Sequence, residues 1–295
     1  MHNVKCFAMH IILGATGHIG SVLTRLLLEQ KAPVTVVVRH AEKAVKWQQQ
    51  GAQVAVADVL DTQRLHDIFK TGEKLYLLNP NAAPDTDTAT EEQRRATSIL
   101  QALQGSGIQK VVAQSTYCAQ PGEAIGDLGV LFEMEQALVK TGIPNSILRA
   151  AYYMSNWDQS LASARESGVV YSFYPGDFKL PMVAPEDIAK VAARLLLEPI
   201  DHTGLHNVEG PDHYSPADVA AAFADALQRP VKAVEIPPDK WMESLEEAGF
   251  SPAAAASMAA MTTISAANRC EAPESPERGN TSLQEYIRGL VQDNA

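Results

Sequence analysis

Cysteine is scarce in this chain. Cys6, Cys118 and Cys270 are scattered over 295 residues. Their separations match no metal-ligand spacing and no disulfide framework, which fits a reducing, cytoplasmic setting. Positive charge is also short: 24 Lys and Arg stand against 35 Asp and Glu, a formal net charge of −11. That balance argues against a nucleic-acid backbone or an anionic membrane as the main partner, and leaves room for a locally basic pocket. No apolar run approaches the ~20 residues of a membrane span. Residues 1–9 hold one Lys and too short an apolar stretch for a signal peptide, so residues 1–8 read as a frayed extension. The eight His show no His-Glu-x-x-His spacing, and no metal site is expected. No internal repeat or low-complexity tract stands out.

What is present is concentrated near the amino end. Residues 9–13 form a short apolar strand. It runs through Gly14, Ala15, Thr16, Gly17, His18, Ile19 and Gly20 into an amphipathic helix ending at Glu29. Glycines at these three places permit a tight turn, a close approach to a pyrophosphate, and packing of helix on strand. The helix behind the turn presents the positive end of its dipole to an anion. The bland alternative is a structural Gly-rich turn, and the next strand speaks against it. Residues 33–39 are β-branched and end in Arg39-His40, with no acid until Glu42. An acid there would hold a ribose 2′-OH, whereas a guanidinium suits a 2′-phosphate. NADP(H) is therefore expected in preference to NAD(H).

Further along, strands and helices alternate. Helix is predicted over 42–50, strand over 53–59, strand over 75–79, helix over 91–105, strand over 109–115, helix over 133–141 and a sixth strand ending at Arg149. Asp58 and Val59, Asn79 and Ser115 fall at strand carboxyl ends, where an open parallel sheet binds ligands. Asp58 serves equally well as the cap of a helix starting near Thr62. The alternation implies a doubly wound parallel α/β sheet. Beyond Arg149 the pattern loosens. Residues 169–174 and 231–236 read as strands, 206–211 as a strand and turn, and 185–197, 215–228, 239–269 and 282–291 as helices.

Gly14-Ala-Thr-Gly-His-Ile-Gly20, the strand ending at Arg39, Ala57-Asp58, Ser115, residues 147–149 with 153–156, and Glu186-Asp187-Ile-Ala together resemble the NmrA-like family of atypical short-chain dehydrogenases/reductases. The resemblance spans residues 9–290. It implies a Rossmann-type domain over 9–150, and a smaller carboxyl-terminal α/β lobe over 151–295, part of which returns to the sheet. It also implies a cleft between the two, and NADP(H) at the glycine turn with Arg39 on the 2′-phosphate. Family members include NADPH-dependent quinone oxidoreductases and triphenylmethane-dye reductases. Others are dinucleotide-binding regulators.

The Tyr-x-x-x-Lys pair of ordinary short-chain dehydrogenases is absent. Tyr117 is followed four residues on by Pro121, and Tyr152 and Tyr153 lack the Lys as well. The position where isoflavone-reductase-like relatives carry Lys is Leu131. Alcohol–ketone and epimerase chemistry by that route is disfavoured, and no catalytic residue is assigned. Hydride transfer to a quinone or similar conjugated molecule needs mainly positioning, with water as the proton source. Tyr117, Tyr152, Tyr153, Met154 and Trp157 are candidates to stack on a flat acceptor, or else lobe-interface core. Cys118 reads as a lone cysteine, more often inert than redox-active. The alternative function is a non-catalytic NADP(H) sensor. A homodimer or a regulatory protein partner stays open beside a small-molecule substrate.

Overall fold

The computed structural model describes residues 8–267, 270 and 273–294. Residues 1–7, most of the expected amino-terminal extension and including Cys6, lie outside that range.

The first half alternates without interruption: β1 (His10–Ile12), α1 (His18–Glu29), β2 (Val34–Val38), α2 (Val45–Gln49), β3 (Gln53–Val56), α3 (Thr62–Phe69), β4 (Lys74–Leu77), α4 (Thr88–Leu103), β5 (Lys110–Thr116), α5 (Asp127–Lys140) and β6 (Asn145–Ala150). The second half is finer-grained. It holds β7 (Tyr152–Tyr153), α6 (Ser160–Glu166), β8 (Val169–Ser172), β9 (Leu180–Val183), α7 (Pro185–Leu197), β10 (Gly204–Glu209), β11 (His213–Tyr214), α8 (Pro216–Leu227), β12 (Lys232–Glu235), α9 (Trp241–Glu247), α10 (Pro252–Ala266), β13 (Glu277–Arg278) and α11 (Leu283–Asp293).

Eight strands form one sheet in the order β13-β10-β6-β5-β4-β1-β2-β3, and every pairing in it is parallel. A parallel sheet must be covered on both faces, and the strand residues divide accordingly. Ile12 and Val112 join Leu23, Leu27, Ile188, Ala192 and Leu196 under α1 and α7. Ile11, Leu13, Val111 and Ala113 join Leu65, Phe69, Ile99, Leu103, Met134 and Leu138 under α3, α4 and α5. The period of two along each strand thus feeds two cores. A third core lies among the short strands of the second half, where Met154, Trp157, Leu161, Val170, Met182 and Phe223 meet Leu283 and Ile287 of α11.

Two buried lysines close the amino-terminal end of the sheet. Lys110 Nζ donates to the carbonyls of Leu195 and Pro199 (2.7 and 3.0 Å), and Lys74 Nζ to those of Leu196 and Glu198 (2.7 and 2.8 Å). They satisfy the carbonyls left open where α7 ends and oppose its dipole. At the other end of α7, Asp187 accepts from Thr281 N and from Lys190 Nζ, both at 2.8 Å, which ties the chain after β13 to the main body.

Several boundaries differ from the sequence expectation. α5 begins at Asp127, well before Glu133, because its start is marked by Gly126 at φ +52° and not by a capping side chain. The helical stretch expected over 239–269 is broken. A turn with Gly249 at φ +91° ends α9, and Ser251 caps α10 with Pro252 in its first position. Residues 268–269 of that expected helix lie outside the described range. The cap of α3 is Asp61, which accepts from Arg64 N at 3.0 Å; Asp58 instead accepts from Leu60 N at 2.8 Å.

Candidate dinucleotide and acceptor site

β1 leads into a turn in which Gly14 adopts φ +73° and Gly17 N donates to Gly14 O at 3.0 Å. A methyl on Gly14 would strike Leu78, and one on Gly20 would overlap the Gly14 carbonyl, so both positions need a bare backbone. α1 has Gly17 at its amino cap with no side chain bound to its first turn. The amides of His18, Ile19 and Gly20 precede the first intrahelical bond, which Ser21 N makes to Gly17 O at 3.0 Å. Ala15 is buried, whereas Thr16, Gly17 and His18 are exposed. This is an open cradle of donors of the kind that receives a phosphate.

The expected edge residues fall around it at the carboxyl ends of the strands. Arg39 and His40 follow β2 and are exposed. Asp58 is exposed and Val59 is buried. Asn79, just beyond β4, is buried; its Nδ2 donates to Glu92 O at 3.1 Å, while its Oδ1 has no partner among the described residues. An orphaned buried acceptor is costly unless something else meets it. Ser115 lies deeper, 1 % exposed, with its hydroxyl donated to Glu135 Oε1 at 2.5 Å. Glu135 also receives Arg149 through two bonds of 2.9 and 2.6 Å. The Ser115 proton is therefore committed inside the protein.

The aromatic candidates divide. Tyr117 and Tyr153 are partly exposed and rest with Leu78 on the core beneath α1 and α7, on the side of the glycine turn. The Tyr117 phenol donates to Glu209 Oε1 at 3.2 Å. Burial, and then the Glu209 carboxylate, hold its proton on far more tightly than usual. Tyr153 Oη accepts from Gln114 Nε2 at 3.1 Å, and Gln114 Oε1 accepts from the buried Tyr76 hydroxyl at 3.0 Å. Tyr152 packs edge-on to Tyr174, with ring centroids 6.1 Å apart. Met154 and Trp157 are 0 % and 3 % exposed and belong to the core of the second half. Of the two readings left open for them, acceptor wall or core, this burial fits the core: the short helical turn after Tyr153 points them inward.

The family model that describes the NmrA-like family matches residues 10–286. The chain belongs to the NmrA-like family. Among curated relatives, it is 29% identical over 250 residues to the NAD(P)H azoreductase of Xenophilus azovorans, covering 85% of each chain. It is 25% identical over 247 residues to quinone oxidoreductase 2 of Escherichia coli, covering 83% of this chain and 80% of that one. Among solved structures, the Citrobacter sp. triphenylmethane reductase complexed with NADP(H) superposes with a TM-score of 0.77 at 22% identity, covering 95% and 99% of the two chains. That structural likeness shows the Rossmann-like fold.

Within this NmrA-like chain, Leu131 packs on the core beneath α4 and α5, so its position supplies no proton donor. Titratable groups that sequence spacing did not single out lie nearby. Glu92 is buried, accepts from Ala82 N at 2.8 Å, and stands beside the Asp127 carboxylate. Burial, reinforced by Asp127, raises its pKa from an ordinary 4.5 to about 8. Glu209 is buried too, with Oε2 2.9 Å from Arg278 and 3.2 Å from His213. These partners come from β10, β11 and β13, and no local motif joins them. Cys118 and Cys270 form a disulfide, with Cα atoms 4.7 Å apart across 152 residues of sequence. This corrects the reading of Cys118 as a lone thiol and removes the cysteine argument for a reducing compartment. Only the approach of two distant loops creates the pair. Among the described residues no group of His, Cys, Asp and Glu is arranged to hold a metal, and no helix is long and apolar enough to cross a membrane. A surface depression of about 440 Å³ between Leu103 and Thr141 lies at the far ends of α4 and α5, away from the glycine turn.

Proposed function

We propose that this chain is an NADPH-dependent oxidoreductase that passes hydride to a quinone or a similar conjugated small molecule. The observation that carries the reading is the cradle at Gly14–Gly20, with three free first-turn amides after β1, and the exposed Arg39 just past the end of the neighbouring parallel strand β2. Backbone amides of that kind hold a pyrophosphate, and a guanidinium suits a 2′-phosphate better than a diol. Asn79 Oδ1 offers a further acceptor at the edge. The relatives support the same choice, being an NAD(P)H azoreductase and a quinone oxidoreductase.

Bound NADPH supplies the hydride. The protein's part is to orient its partners and limit water. Leu78, Tyr117 and Tyr153 supply flat and apolar surface for an acceptor on the same side of the sheet. Protons reach a reduced quinone from water, since the Tyr-x-x-x-Lys route is missing. In this reading residues 9–150 bind the dinucleotide, residues 151–295 complete the acceptor side, and the enzyme works in the cytoplasm on a small molecule.

Calorimetric titration with NADPH, NADP⁺, NADH and NAD⁺, followed by a panel of quinones and dyes, tests this. Tight NADPH binding, NADPH-dependent turnover of a panel member, and loss of the NADPH preference in Arg39→Asp are expected. NADPH binding without turnover of any acceptor favours a sensor and overturns the catalytic reading. No dinucleotide binding overturns both.

A further inference from the structure

The Cys118–Cys270 disulfide directly follows Tyr117 in the chain, on the side of the site assigned to the acceptor. A 295-residue chain with three apolar cores has no need of a covalent staple of the kind small domains use. The link instead joins a turn at the carboxyl end of β5 to the chain that precedes β13. Both cysteines are half-buried, neither of them fully closed off from solvent. Cys118 directly follows Tyr117 and sits at φ +65°, a left-handed conformation that is unfavourable for a residue with a Cβ. Ala124, in the same β5–α5 connection, is at φ +54°. Such a conformation persists only where its surroundings hold it, and the disulfide is one of the things holding Cys118.

What Cys118 carries with it is the acceptor side of the site. Tyr117 N donates to Ala150 O at 2.9 Å, and its phenol reaches Glu209. Glu209 pairs in register with Arg278 of β13 and meets its guanidinium at 2.9 Å. Cys270 belongs to the chain entering that same strand. The covalent link and the Tyr117–Glu209–Arg278 contacts therefore tie the same two segments together.

We propose that the Cys118–Cys270 disulfide is a reversible redox link that sets the position of Tyr117 and with it the affinity of the site for its acceptor. A dithiol is the reductant. One of its thiolates attacks a cysteine sulfur and breaks the Cys118–Cys270 bond. Its second thiol then closes the reductant's own disulfide. Two electrons and two protons pass to the protein, leaving two free thiols. In the reduced form the β5–α5 connection relaxes from its left-handed start and Tyr117 is less firmly held.

The kinetic arm rests on the function proposed above; the chemical and exchange arms do not. The full chain is prepared oxidised and after dithiothreitol. Thiols are counted in denaturant, and the Cys118–Cys270 cross-link is sought by peptide mapping. One free thiol before reduction and three after are expected. Hydrogen exchange over residues 116–126 is expected to quicken at least several-fold on reduction. The KM for a naphthoquinone is expected to shift at least threefold, while the Kd for NADPH stays within a factor of two. Cys118→Ser and Cys270→Ser should each match the reduced wild type, and reduction of the wild type covers any variant that fails to fold. Three free thiols before reduction overturn the proposal, and so does unchanged exchange over 116–126. An unchanged KM in a protein that turns over confines the link to structure and overturns its control of the site. If no acceptor turns over, exchange and naphthoquinone affinity measured by calorimetry decide between the two redox forms, and equal values in both overturn the proposal.

Discussion

Gly20 lies so close to Gly14 that the carbonyl oxygen of one occupies the space a side chain on the other would need. This contact presses α1 against the end of β1 and aims the free amides of its first turn at the edge of the sheet. Gly20→Ala must push the helix away from the turn or distort the turn itself. A loss of stability of about 1–3 kcal/mol is expected, as for other overpacked sites, with at least a tenfold weaker NADPH affinity. Urea unfolding and calorimetry check both. Wild-type NADPH affinity in a folded Gly20→Ala protein would show that the close approach does not shape the site.

Ser115, Glu135 and Arg149 illustrate what a sequence hides. Glu135 is 2 % exposed and holds Arg149 by a two-pronged pair while also accepting from Ser115. Removing the carboxylate strands a half-buried guanidinium, which typically costs about 3 kcal/mol or more. Glu135→Ala is expected to lose that much by urea unfolding. Ser115→Ala, which removes only one donor, should lose about 1 kcal/mol and leave NADPH affinity unchanged. A tenfold drop in NADPH affinity in a stable Ser115→Ala protein would instead return the hydroxyl to the cofactor edge.

The alternation from residue 9 to Arg149 was legible because buried parallel strands and amphipathic helices each carry their own period over a whole element. The glycine turn was legible because its chemistry is local. The elements missed in the second half are short: β7, β11 and β13 have two residues each, β9 has four and α6 has seven. Runs of that length have no measurable period, and distant neighbours decide whether they pair. Gly249 and Ser251-Pro252 did mark a break within the long carboxyl-terminal helical stretch, but its alanine-rich composition masked it. Glu209 with Tyr117, and Cys118 with Cys270, are joined only by the folded chain.

Glu92 gives stability a pH dependence of definite sign. Folded, it keeps its proton to about pH 8; unfolded, it releases it near 4.5. Below that lower value both states are protonated and the folded form has its full stability. Between the two values the unfolded chain sheds a proton that the folded chain retains, so this contribution falls as pH rises and is lost as the pH passes about 8. Glu92→Gln is neutral throughout and lacks this slope. The thermal midpoint of the variant relative to wild type should therefore climb steadily from pH 5 to pH 8. A constant difference across that range would mean that Glu92 ionises normally in the folded chain.

Lys110 separates stability from ligand binding. Its side chain is fully buried, and burial lowers its pKa, with the neighbouring Lys74 charge acting in the same direction. Even so, its ammonium group donates to Leu195 O and Pro199 O, where α7 ends. Lys110→Met fills most of the same volume but leaves two carbonyls without a donor, a loss of about 1–3 kcal/mol. Lys110 begins β5, whereas the glycine turn follows the carboxyl end of β1, and the two strands run parallel in one sheet. The site should therefore not sense the change. Urea unfolding should show the midpoint fall while calorimetry returns a wild-type Kd for NADPH. A parallel loss of NADPH affinity would show that α7, packed against α1, passes the disturbance to the glycine turn.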